Sequence, residues 1–98
     1  MSENLQRNKH FLNLLINTTQ TQAKALLKIL TKDQLECLVE IAYNLAPLQK
    51  FHYRQKKLLH FIAKPSVTNR EKQQAIIKYS GILLNIFQEV RSDIFDQL

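Results

Sequence analysis

The segment from Lys50 to Lys64, KFHYRQKKLLHFIAK, carries more positive charge than any other stretch of its length in this chain. Four of its cations are separated by four, three and seven residues, which places them on one face if the segment is helical. Cations repeated along a rigid helix suit a phosphate backbone, because each contact releases condensed counterions. Tyr53 adds an aromatic ring with a hydroxyl group. The segment therefore predicts non-specific nucleic-acid binding, with Lys50, Arg54, Lys57 and Lys64 as the principal phosphate contacts.

The charge around this segment is also unbalanced. Residues 50–78 hold eight basic side chains and one acidic side chain, Glu71, although the net charge of the whole chain is +6. Solvated helix faces normally mix both signs, so this asymmetry favours an anionic partner, most commonly nucleic acid. The alternative is that the lysines only keep an amphipathic helix soluble. The predicted secondary phosphate contacts are Lys56, Arg70, Lys72 and Lys78.

The other residue types that could do chemistry do not combine into a site. His52 and His60 would lie about 12 Å apart by helix rise, too far to chelate one metal ion. With one glycine, the chain has no glycine-rich phosphate loop. Cys37 lies beside Glu36 and one turn from Glu40, which disfavours a thiolate and predicts a buried structural thiol. We therefore expect no enzyme, no catalytic residue, no metal and no cofactor.

The elements that position the basic segment are predicted to be helices. The chain is rich in Leu, Ile, Lys, Gln, Glu and Ala and has few turn-forming residues, which is typical of helical proteins. Apolar spacing predicts a first helix over 3–16 and a second over 20–30. A capping box at Thr31 and Gln34 begins a third helix, which Pro47 ends.

The second half of the chain continues this pattern. A fourth helix is predicted to begin at Pro47 or Leu48 and to end before Pro65. A second capping box, at Thr68 and Glu71, begins the next helix. Gly81 is either the left-handed residue that ends this helix or a residue inside it. We therefore expect one all-α domain over residues 1–98, a compact bundle of five or six short helices.

The helical spacing also identifies the residues expected in the core. They recur on one face of each predicted helix, as in other helical bundles. The predicted core residues are Leu27, Leu35, Leu38, Val39, Ala42, Leu58, Ile62, Ile76, Leu83 and Phe87.

The C-terminal segment, residues 82–98, suggests an alternative function. Its apolar residues cover most of a helix circumference, more than one packing face needs. Burial in the bundle is one explanation, and a self-association or partner-docking face is the other. The candidate interaction face consists of Ile82, Leu83, Ile86, Phe87, Val90, Ile94 and Leu98. On this hypothesis the protein is a homo-oligomerisation or protein-interaction module.

One part of the chain resembles a known group of proteins. The segment ALLKILTKDQLECLVEIAYNL matches a pattern in small basic proteins encoded by Polinton-type and adintovirus-like mobile DNA elements, and the resemblance extends over residues 24–87. It implies a viral or mobile-element accessory or packaging protein that acts near element DNA. The matching residues include Leu26, Leu27, Thr31, Gln34, Leu35, Leu38, Glu40, Ile41, Ala42, Asn44 and Leu45, with Gln55, Lys56, Lys57, Thr68, Gly81, Ile82 and Leu83 further on.

The same composition indicates where the protein acts. No stretch approaches the ~20 apolar residues of a membrane span, and the first apolar run, FLNLLI, is too short for a signal peptide. The single cysteine fits a reducing compartment. We therefore expect an intracellular protein, cytoplasmic or nuclear, with virion association as a further option and no membrane partner.

Overall fold

The computed structural model describes residues 3–96, with side chains through Asp93. These residues form eight α-helices and no strand, which confirms the predicted all-α class. The predicted count of five or six helices is too low, because the chain also leaves helical geometry at Asn8 and Val90. The helices are α1 (Glu3–Arg7), α2 (Lys9–Asn17), α3 (Gln20–Lys28), α4 (Lys32–Leu45), α5 (Tyr53–Ala63), α6 (Asn69–Lys78), α7 (Ser80–Glu89) and α8 (Arg91–Asp96).

Hydroxyl side chains cap the starts of three helices. The predicted capping box at Thr31 and Gln34 is confirmed, with both reciprocal bonds present. Thr68 also caps its helix, because its hydroxyl accepts a hydrogen bond from the Glu71 N–H. The Glu71 carboxylate, however, accepts a hydrogen bond from the Thr68 hydroxyl at 2.9 Å. In the predicted capping box it would accept from the backbone N–H of Thr68. Thr19 caps α3, which begins at Gln20 as the sequence predicted.

The predicted helix over 3–16 is divided at Asn8. This residue is buried, and its side-chain amide donates to the Asn4 carbonyl at 2.8 Å and to the Asp33 carboxylate at 2.9 Å. Asparagine side chains compete with the helical backbone in this way, and the competition turns the chain between α1 and α2.

The predicted start of the fourth helix at Pro47 or Leu48 is wrong. Residues 46–52 form turns, and α5 begins at Tyr53. Phe51 inserts its ring into the core and holds these turns against the bundle. The helix begins only after it, where His52 is the N-cap of a capping box with Gln55. Histidine is not among the usual N-cap residues, so the sequence pattern did not indicate this start.

Gly81 does not end a helix in the left-handed conformation. The break between α6 and α7 lies at Tyr79, and Gly81 is in the first turn of α7 with a negative φ. A Cβ atom at Gly81 would lie 2.8 Å from Nε2 of Gln20. The only close atoms belong to the end of the exposed Gln20 side chain, which can move, so the packing of α3 against α7 does not require a glycine at position 81.

Helices α1 to α7 share one hydrophobic core. Nine of the ten predicted core residues are buried, and the tenth, Val39, is half-buried against the same cluster. Helix α7 lies at the centre, packed against α2, α3, α5 and α6. Its residues Leu83, Ile86 and Phe87 have almost no exposed surface.

An ion pair joins α1 to the start of α4. Nη2 of Arg7 lies 2.8 Å from Oδ1 of Asp33, and Asn8 donates to the other carboxylate oxygen. The hydrogen bond from Arg7, and then that from Asn8, hold the pKa of Asp33 below its ordinary value of 3.8. The charged form of Asp33 is therefore favoured in the folded chain.

We expect this contact to make folding stability sensitive to acid. Because the folded-state pKa of Asp33 is lowered, its contribution is complete above the unfolded-state value near 3.8 and is lost as pH falls through the folded-state value. Asp33→Asn should therefore lower the melting temperature at neutral pH, and its difference from wild type should shrink below about pH 4. Thermal unfolding followed by circular dichroism at several pH values measures this. A difference that stays constant into acid, or an equal effect of Glu36→Gln, an exposed carboxylate on the same helix, contradicts the assignment.

Candidate nucleic-acid interface

A groove of about 510 Å³ lies between α5, α6 and the start of α7. Its volume is within the range of clefts that hold small ligands. One wall comes from α5, and the other comes from the end of α6 and its C-cap. The lining residues are Tyr53, Arg54, Lys57, Leu58 and Phe61 on α5, Gln74, Ala75, Lys78 and Tyr79 on the facing wall, and Ile82 on α7.

The groove carries one sign of charge. Arg54 and Lys57 stand on the α5 wall and Lys78 on the opposite wall, and all three are exposed. Among the described residues, no carboxylate lines the groove and none forms an ion pair with any of the three cations. Cations on two facing walls reinforce one another's potential, because the low-dielectric walls of a cleft focus the field into it.

Three aromatic side chains of the groove are exposed. Tyr53 is 76% exposed, Phe61 37% and Tyr79 38%. The Nζ atom of Lys78 lies 5.4 Å from the centroid of the Tyr79 ring, within cation–π range. The aliphatic floor is less exposed, because Leu58 is buried and Ala75 and Ile82 are half-buried.

The spacing along α5 explains why these side chains converge. Tyr53, Lys57 and Phe61 follow one another at intervals of four residues and share a face. The opposite side of the helix carries Leu59 and Ile62 into the core. Gln55, also buried, donates through Nε2 to Oε1 of Glu89 at 3.1 Å and fixes α5 against α7.

The four predicted principal contacts do not lie together on one helix face. Lys50 lies in the turn before α5, and its Nζ is 3.0 Å from Oδ2 of Asp93. It is therefore paired within the chain. Lys64 is the C-cap of α5 and is exposed outside the groove. Of the four, only Arg54 and Lys57 line the groove.

The predicted secondary contacts also separate. Lys78 is brought into the groove beside Arg54 and Lys57. Lys56 is half-buried, with its Nζ 3.4 Å from Oε1 of Gln49, and Arg70 is exposed at the start of α6 away from the groove. Lys72 is only 5% exposed, so the prediction of an exposed phosphate contact at this position is wrong.

The candidate interaction face at the C-terminal end is mostly core. Leu83, Ile86, Phe87 and Val90 are fully buried by their own bundle, and Ile82 is half-buried at the floor of the groove. The side chain of Ile94, and Leu98 as a whole, lie outside the described residues. The excess of apolar residues on α7 is thus explained by the number of helices around it.

A second cleft, of about 400 Å³, has the opposite charge. Glu36, Glu40 and Tyr43 line it together with three other residues. Tyr43 is 66% exposed, close to the exposure of Tyr53, but its neighbours are carboxylates. Oε2 of Glu40 is buried without a hydrogen-bond partner among the described residues. This cleft repels phosphate and provides an internal comparison for the groove.

The cysteine, metal-ligand and membrane features considered in the sequence do not add a second site among the described residues. Cys37 is fully buried, as predicted, and burial, with a smaller effect of Glu40 and then Asp33, raises the pKa of its thiol to about 12. The described side chains contain no cluster of three or more His, Cys, Asp or Glu residues that could hold a metal ion. Across the described helices, none is long and apolar enough to cross a membrane.

The sequence pattern did not identify two aromatic residues of the groove. Phe61 follows Lys57 by one helical turn, a signal that was present in the basic segment itself. Tyr79 had no such signal, because its place in the groove depends on how α6 packs against α5.

Comparisons with known proteins identify no relative of this chain. No protein-family model matches it, and neither a curated protein nor a solved structure does. The resemblance over residues 24–87 to proteins of mobile DNA elements stays a prediction.

We expect substitutions at Lys72 to reveal an interior position. Lys72→Met should change the free energy of unfolding little, because the lysine stem already packs as an apolar group. Lys72→Glu should cost about 2 kcal/mol or more, because it buries a carboxylate on a short stem without a partner. Urea unfolding measures both. Arg70→Glu makes the same charge change at an exposed site of the same helix turn and should stay within about 0.5 kcal/mol. Equal costs at the two positions contradict the burial of Lys72.

Proposed function

We propose that this protein is a non-enzymatic nucleic-acid-binding protein that contacts the phosphate backbone through Arg54, Lys57 and Lys78. The observation that carries the proposal is the convergence of these three exposed cations on one groove that has no carboxylate among its described lining residues. Phosphate contacts of this kind position a nucleic acid without reading its sequence. Binding should therefore be salt-dependent and largely independent of sequence.

The surface around the groove supports the same proposal in a secondary way. Lys64 at the end of α5 and Arg70 in the first turn of α6 are exposed outside the groove. Neither has an ion-pair partner among the described residues. They would extend the positive surface outside the groove. Lys50 would contribute only after leaving Asp93, which exchanges one exposed ion pair for another at little cost in free energy.

Two other functions have less support. Lysines that serve only for solubility do not need to face one another across an uncharged floor, as Lys57 and Lys78 do with the groove between them. A self-association module on the C-terminal face would use Ile86, Phe87 and Val90, whose side chains are buried in the bundle.

The resemblance to proteins of Polinton-type and adintovirus-like elements suggests a biological setting for this activity. By that analogy, the protein would act as an accessory or packaging factor on the DNA of a viral or mobile element. Such a role needs broad affinity for backbone phosphates more than base recognition. It is compatible with the absence of sequence specificity that we propose for the groove.

We expect the triple variant Arg54→Gln/Lys57→Gln/Lys78→Gln to lose most nucleic-acid affinity. Each lost phosphate contact should lower the slope of log affinity against log salt by about 0.9 on duplex DNA, so the triple variant should lower it by up to about 2.7. Fluorescence anisotropy with labelled duplex DNA and labelled single strands, at about 50 and about 200 mM salt, measures both quantities.

The matched control removes three lysines that do not line the groove, Lys24, Lys28 and Lys32, each replaced by Gln. Both variants reduce the net charge equally, so only a local site distinguishes them. If both variants lose the same nucleic-acid affinity, binding depends on overall net charge and not on the groove. No binding by wild type at low salt would overturn the proposed function.

A further inference from the structure

We propose that the groove between α5, α6 and α7 holds unpaired nucleotides, so that the preferred ligand of this protein is single-stranded nucleic acid. Bases would lie against the aromatic rings of the groove, and phosphates would lie on its cations. This inference rests on the proposed function and specifies its substrate class.

The exposed apolar surface of the groove has the chemistry that bases need. Tyr53 is three-quarters exposed, and Phe61 and Tyr79 each expose more than a third of their surface, whereas the aliphatic floor at Leu58 is buried. Every base has a π-face, so flat rings bind successive bases without regard to sequence. An amphipathic peptide would instead need a broad aliphatic floor, and here the floor is limited to the buried Leu58 and the half-buried Ala75 and Ile82.

The order of residues on α5 matches the alternation of base and phosphate along a strand. Tyr53, Lys57 and Phe61 give ring, cation and ring in steps of one helical turn, about 6 Å each. Arg54 adds a second cation beside the first ring. Arginine also stacks on flat groups, so it can contribute to both contacts.

The facing wall repeats this combination. Lys78 and Tyr79 are adjacent in sequence, and the Lys78 ammonium lies 5.4 Å from the ring centroid. A phosphate-binding group and a stacking group are therefore held within a few ångströms of each other, as a phosphate and its base are in a nucleotide. The two walls together enclose about 510 Å³, sufficient for a base to enter.

A duplex cannot use the rings in this way. Its bases are paired and stacked in the interior, so it presents the groove with phosphates alone and gains only the electrostatic contribution. An unpaired strand gains that contribution together with stacking, which alanine substitution commonly shows to be large for each base. The structure therefore predicts a preference for single strands that depends on the aromatic residues and not on charge.

Tyrosine fluorescence provides a direct test. The chain has three tyrosines and no tryptophan, and two of the tyrosines, Tyr53 and Tyr79, line the groove. In a Tyr43→Phe background, all tyrosine emission therefore comes from the groove. We expect oligothymidylate of ~20 nucleotides, longer than common single-strand site sizes, to quench this emission. Inorganic polyphosphate, an anion without bases, should bind in a salt-dependent manner without comparable quenching.

Affinity measurements complete the test. Tyr53→Ala should weaken oligothymidylate binding about 10-fold and leave binding of duplex DNA of the same length unchanged, whereas Tyr53→Phe should retain wild-type affinity for both. The matched control is Tyr43→Ala, which removes an equally exposed ring from the acidic cleft and should change neither affinity. Each variant is first compared with wild type by circular dichroism.

The outcomes separate this inference from the proposed function. Equal affinity for single strands and duplex, unaffected by Tyr53→Ala and without quenching, overturns the inference and leaves the proposed function standing. Polyglutamate that binds as tightly as oligothymidylate and quenches as strongly also overturns it, because the groove would then be a site for acidic peptides. Failure to bind any nucleic acid at low salt overturns both.

Discussion

The burial of α7 on nearly all sides is the constraint on which the rest of the structure depends. Ile82, Leu83, Leu84, Ile86 and Phe87 cover most of its circumference, and a helix of this kind is stable only when other helices surround it. Helices α2, α3, α5 and α6 surround it, and α8 contacts it as well. Gly81 faces α3, where the end of the Gln20 side chain lies against it.

The position of α7 also determines where the groove forms. Helices α5 and α6 both pack against α7 and against each other, and the groove lies where their outer faces diverge above Ile82. The hydrogen bond from Gln55 to Glu89 fixes α5 to the end of α7. The break at Tyr79 turns the chain from α6 into α7 and leaves the tyrosine ring at the groove. The same contacts that complete the core therefore orient the groove residues.

The cations of this protein differ in whether the fold gives them a partner or buries them. Arg7 and Lys50 pair with carboxylates, and Lys72 is taken into the interior along its stem. The cations of the groove keep no such partner among the described residues. Since nothing within the described chain neutralises them, their field is available to an anion outside it. Only part of the charge asymmetry in the sequence is therefore located at the candidate interface.

The sequence by itself determined the helical class, the core and the clearest helix starts. Periodic apolar residues identify the buried face of a helix whatever its neighbours are, so nine of ten predicted core residues are buried, and the capping box at Thr31 depends only on residues three positions apart. The start of α5 was not predictable in this way, because it depends on the insertion of Phe51 into a core built by distant helices.

Only the tertiary structure decided which cations form the candidate site. Helical spacing placed Lys50 with Arg54 and Lys57, but the turn before α5 removed Lys50 and the packing of α6 against α5 supplied Lys78 and Tyr79 in its place. The physical reason is that spacing along one helix describes a single face, whereas a groove needs two walls. Their relation is set by the burial of α7, which involves residues far apart in the sequence.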